Sequence, residues 1–97
     1  MTSQPTPSLG RIVHTFVDPK TSNGAEIAPA IITRVWDVGT DDRLPYVNIR
    51  AMLDSDTPPW WKTSIRIYPD EQAARDATQG VSHPAGGIHA AFWPPRV

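Results

Sequence analysis

Arg34, Trp36, Asn48, Arg50, Trp60, Lys62, Arg66 and Tyr68 fall at even spacings within three β-prone runs of the sequence. Residues two apart on a strand share a face, so three neighbouring strands in this phase would gather four cations and three aromatic rings on one surface. The chemistry of such a surface is recognition of a flat, anionic ligand. Guanidinium forks grip phosphate or carboxylate in pairs of hydrogen bonds, and an aromatic ring stacks on a base or a peptide group. The same residues also describe a solvated face whose Arg and Lys stems cover apolar neighbours. Trp60-Trp61, directly after Pro58-Pro59, adds a second feature. Strict alternation turns one of the two rings outward as a contact site, unless both cap a small core.

Residues for catalysis or metal binding do not assemble. Cysteine is absent, which removes disulfides, thiolate metal sites and a thiol nucleophile. His14, His83 and His89 share no ligand spacing with one another. Asp54-Ser55-Asp56 lacks the glycine and distal glutamate of a calcium loop, and no glycine cluster precedes a helix to cradle phosphate. Ser82-His83 are adjacent in a loop, a poor geometry for a nucleophile and its base. The expectation is a non-enzymatic protein without metal or cofactor.

The elements that must position the face are short strands separated by proline-rich turns. Arg11 to Val17 reads as a first strand, with Ile12, His14 and Phe16 opposite Val13, Thr15 and Val17. A long loop over residues 18–28 follows, with Asn23-Gly24 suited to positive φ. Pro29 to Trp36 is the second strand and the most β-prone run, dense in β-branched residues. Its phase sets Ile31, Thr33 and Val35 inward, against Ile32, Arg34 and Trp36. Tyr46 to Asp54 alternates with Val47, Ile49, Ala51 and Leu53 inward, and Trp60 to Tyr68 with Trp61, Thr63, Ile65 and Ile67 inward. The period then changes: residues 70–79 predict a two-turn helix, with Asp70 as N-cap and Gly80 as its stop. Ile88 to Trp93 is a closing strand. Ile31, Val35, Val47, Ile49, Leu53, Ile65 and Ile67 form the expected core.

Ninety-seven residues hold one hydrophobic core at most. The expected organisation is a Pro-rich arm over residues 1–9 and a single small β-barrel domain over residues 10–97. So few strands must curl to hide their apolar face, and the predicted fold is a mainly β, five-stranded antiparallel barrel with one short helix before the last strand. This order is that of a Src-homology-3-like barrel. An oligonucleotide-binding-type barrel ranks second, because its helix normally falls between the third and fourth strands. Nine basic against ten acidic residues, a net charge of -1, supply no bulk attraction to nucleic acid or anionic lipid. No apolar run approaches the ~20 residues of a membrane span, and the first eight residues have no signal-peptide pattern.

Four stretches carry a resemblance: Gly10-Arg11-Ile12-Val13-His14, Pro29 to Trp36, Val47 to Asp54, and Phe92-Trp93-Pro94-Pro95. Together they resemble small uncharacterised proteins of tailed bacteriophages and prophages, many in actinobacterial hosts. Those proteins look like G-x-I-V-H, then A-I-V-T-x-V-W, then V-N-L-x-V-F-x-D, then a closing aromatic-proline tail. The resemblance covers most of the chain outside residues 1–9 and the helix, and it carries no functional residues. It implies a viral origin and a virion or accessory role, located in the particle or the host cytoplasm. The partner expected on that basis is another phage protein or a second copy of the chain. A nucleotide or nucleic acid is the alternative ligand.

Overall fold

The computed structural model describes residues 5–56, 58–78 and 90–95. Five strands close a barrel in the order in which they occur in the chain: β1 (Ile12–Phe16), β2 (Ile27–Asp37), β3 (Tyr46–Ala51), β4 (Trp60–Tyr68) and β5 (Ala91–Phe92). One helix, α1 (Glu71–Ala77), lies between β4 and β5. This is the predicted five-stranded barrel with a helix before its last strand, an order compatible with the Src-homology-3-like type. One pairing differs from the antiparallel expectation. β5 runs antiparallel to β1 but parallel to β4, with Ile67 opposite Ala91 and Tyr68 opposite Phe92. The reason is topological: a parallel neighbour needs a crossover rather than a tight turn, and the segment containing α1 separates the last residues of β4 from β5, which lies beside them.

The core is built from Val13, Val17, Ala28, Ala30, Ile32, Val47, Ile49, Ala51, Ile65, Ile67, Ala91 and Trp93. Val35, Leu53 and Trp60 pack against it while partly exposed. The expected inward set holds for Val47, Ile49, Ile65 and Ile67, and fails for Ile31. In the first half of β2 the buried residues are Ala28, Ala30 and Ile32, so Ile31 points out, beside Ile12 and Arg50. The register of β2 against β3 then shifts between Ile32 and Arg34, and again between Val35 and Asp37. Each bulge inserts one residue and exchanges the faces, so Val35 returns inward and Arg34 and Trp36 remain outward as predicted.

A third bulge does the same to β4. Ile49 pairs with Lys62 and Val47 with Ile65, which leaves Thr63 and Ser64 together opposite Asn48. Ser64 takes a left-handed φ of 60° to make the kink. Before the bulge Lys62 is buried and Trp61 exposed; after it Ile65 and Ile67 are buried. The predicted phase is therefore right for the second half of β4 and inverted for the first.

Loops and helix follow local chemistry. Asp18 caps a 3-10 turn over Pro19–Thr21, and Asn23 and Gly24 both adopt positive φ. This first loop docks on the β3–β4 connection, where the fully buried Ser22 hydroxyl accepts the Asp54 N–H at 2.9 Å and the Ser55 hydroxyl donates to Thr21 O at 2.7 Å. Asp70 caps α1 as predicted, accepting the Ala73 N–H at 2.8 Å. Ala74 seats the helix on a second cluster with Phe16, Ala90 and Phe92. The expected stop at Gly80, the loop that holds Ser82 and His83 and the start of the last strand at Ile88 lie outside the described residues. In the N-terminal arm Pro7 is buried, and the Gly10 N–H donates to Ile32 O at 2.9 Å.

Candidate binding face

The outer face of β2, β3 and β4 carries three rows of side chains defined by the strand register. The first crosses from Ile12 through Ile31 and Arg50 to Trp61. The second holds Trp36 and Arg34 beside Asn48, with Thr63 and Ser64 beyond. The third runs from Asp37 through Tyr46 to Arg66. Trp36 and Trp61 are 51% and 53% exposed, far more than is usual for tryptophan.

The Trp36 ring is held rather than loose. The indole Nε1–H of Trp36 donates to Asn48 Oδ1 at 2.9 Å, and the Arg34 guanidinium lies 4.0 Å from the Trp36 ring centre. The same Asn48 oxygen accepts the Thr63 hydroxyl at 2.9 Å and the Ser64 N–H at 2.8 Å. One nearly buried amide thus fixes both the exposed indole and the β4 bulge. Arg66 stacks on Tyr46 at 4.2 Å and donates to Leu44 O at 3.1 Å.

Charge on the face is one-sided. Strands β2 to β4 contain a single carboxylate, Asp37, and it is already engaged. Its oxygens accept from Arg43 Nε at 2.6 Å and from the Gly39 N–H at 2.8 Å. The Arg43 hydrogen bond, then that of Gly39, holds the Asp37 carboxyl below its usual range, with a smaller pull from the Arg66 charge. Gly39 makes this turn possible: its φ is 87°, and a Cβ there would lie 2.8 Å from Arg43 O. Arg34 and Arg50 form no ion pair among the described residues.

Of the seven charged and aromatic residues predicted for the face, Arg34, Trp36, Arg50 and Arg66 come together on it, while Asn48, expected beside them, is nearly buried and holds Trp36. Three do not. Trp60 turns inward and packs against the main core, because the β4 bulge reverses the phase before Ser64. Lys62 turns inward for the same reason and is only 2% exposed. Tyr68 packs with the cluster of Phe16, Phe92 and Ala74 near α1, away from the arginines. In exchange the face gains Trp61 and Ile31, both expected inside, and Tyr46. Lys62 Nζ donates to Phe16 O at 2.6 Å and to Thr15 Oγ1 at 3.0 Å, and the Thr15 hydroxyl donates onward to Ala90 O at 2.8 Å. Burial pulls its ammonium down from 10.5 to about 8.

His14 sits edge-on to Phe92 at 5.8 Å, a packing role, while His83, His89 and Ser82 lie outside the described residues. Among the described residues no three His, Asp or Glu side chains converge as metal ligands, and no helix is long and apolar enough to cross a membrane. Fold and face together define a small closed β-barrel that displays a pre-organised aromatic and arginine surface. Comparison with protein-family models, curated proteins and solved structures returns no match.

Proposed function

We propose that the protein is a non-enzymatic binding module that acts through protein–protein contacts, in the manner of a small virion or accessory protein of a tailed phage. The observation that carries this reading is the pair of half-exposed tryptophans, one of them locked by Asn48 and Arg34. Anchors of this kind lose little conformational entropy on binding, and Trp and Arg dominate the energetics of protein interfaces. The row from Ile12 to Trp61 supplies adjoining apolar surface, with Ile12 43% exposed. The partner is another protein of the same system or a second copy of the chain, and the resemblance to phage proteins favours a role in or on the particle.

The test is a photo-crosslinking amino acid at position 61, with position 76 on the exposed side of α1 as control. Protein adducts at 61 and not at 76 are expected; adducts at the mass of two chains would identify self-association. Adducts confined to nucleic acid, or none at 61, would overturn the reading. Mass spectrometry of purified particles then separates a virion part from an infection-stage accessory.

A second reading rests on Arg34 and Arg50, which lack carboxylate partners among the described residues and so also suit phosphate. It makes the protein a soluble nucleotide- or nucleic-acid-binding accessory. Calorimetry against mononucleotides, cyclic nucleotides and oligonucleotides tests it, with heat that declines on adding salt as the expected result.

A further inference from the structure

We propose that the β2–β4 face docks an acidic protein segment, whose carboxylates engage Arg34 and Arg50 while its apolar side chains lie on Trp36, Trp61 and Ile31. This rests on the protein-binding reading above and adds the chemistry of the partner. Charge complementarity carries it. The three strands present Arg34, Arg50 and Arg66 outward, and their one carboxylate is consumed by Arg43 and the Gly39 N–H. A basic surface on a chain whose net charge is -1 is a local concentration of charge, not a consequence of composition.

The geometry favours a carboxylate-bearing segment over a nucleic acid. Binding of single strands draws its energy from bases stacked on aromatic faces. Here Arg34 occupies a face of Trp36 at 4.0 Å, and Arg66 occupies a face of Tyr46 at 4.2 Å, so a base on either of those faces must displace a cation. Trp61 is left as the ring of this surface with no cation over it among the described residues. A guanidinium stacked on a ring still offers its N–H edge, and that edge matches a carboxylate in a two-bond fork. Arg50 stands between Ile31 and Trp61 in register, so one carboxylate can be gripped with apolar contacts on either side.

The experiment is a titration of the full chain, followed by nitrogen–proton NMR at the indole signals of Trp36 and Trp61. The probes are a peptide of about fifteen residues alternating Glu and Leu, its Gln-for-Glu counterpart, and a single-stranded oligonucleotide of matched charge. The Glu peptide is expected to shift both indole signals and to lose about tenfold in affinity between low and physiological salt. Arg34→Gln and Arg50→Gln are each expected to weaken it about tenfold, with the rest of the spectrum reporting an intact fold. Equal binding by the Gln peptide overturns the acidic partner and leaves the protein-binding reading standing. Shifts from the oligonucleotide alone overturn both. Silence from all three probes overturns the acidic partner, and the crosslinking result at position 61 then decides the broader reading.

Discussion

Two buried polar side chains carry consequences out of proportion to their size. Asn48 Oδ1 accepts three hydrogen bonds, from Trp36, Thr63 and Ser64, so Asn48→Ala strands a backbone N–H and frees the indole. The expected loss is about 2–4 kcal/mol in urea unfolding, with greater mobility of the Trp36 ring by NMR relaxation. Lys62 works in the opposite sense. Its folded-state pKa of about 8 lies below the ordinary 10.5, so between those values the unfolded chain binds the proton more readily than the folded one. The contribution of this group to stability is therefore least below pH 8, where the charge must be buried, and rises as pH climbs toward 10.5. Denaturant midpoints across that window are expected to increase with pH, and Lys62→Met is expected to flatten the increase. A wild-type midpoint that falls with the same slope as the variant would refute the assignment.

At the level of elements, the bulges decide which residues face the core. Ile49→Ala is expected to cost about 2–5 kcal/mol, because the side chain is fully buried, whereas Ile31→Ala is expected to cost less than about 1 kcal/mol. Comparing their urea midpoints tests the phase of β2 directly. Ser64→Gly relieves the left-handed φ and is expected to leave stability unchanged or raise it by up to about 1 kcal/mol, while Ser64→Val is expected to lower it. Strand identities, the N-cap at Asp70 and the helix before the last strand were legible from period and turn chemistry. Arg34, Trp36, Arg50 and Arg66 were legible as outward residues because each lies in a segment where the assumed alternation holds. Trp60, Lys62 and Ile31 were misplaced because one inserted residue inverts everything on its far side, and Thr-Ser or Thr-Arg in a β-prone run does not announce a bulge. Lys62 had a further disguise. A lysine between Trp61 and Thr63 reads as solvent-facing unless Thr15 and Phe16, far away in the chain, are known to receive its ammonium.

For the whole molecule, closure rests, among the described residues, on the short β5 and its flanks, where the Trp93 N–H also donates to Tyr68 O at 3.1 Å. Ala91 and Phe92 pair with His14 and Thr15 on one side and with Ile67 and Tyr68 on the other, and Phe92 also seats α1 through the second cluster. Ending the chain at Thr78 is expected to abolish cooperative thermal unfolding, measured by near-ultraviolet circular dichroism, because the β1–β4 seam then stands open. Contacts such as Thr15 to Ala90 span 75 positions, which places refolding in the millisecond-to-second range typical of barrels with distant pairings. On the ribosome the same arrangement imposes a waiting period. The four-strand meander emerges first, with the seam between β1 and β4 open and the side of Phe16 that meets Phe92 uncovered. The meander stays adhesive until Phe92 is free, so the dangerous interval for aggregation, proteolysis or chaperone capture lasts until β5 has left the ribosome.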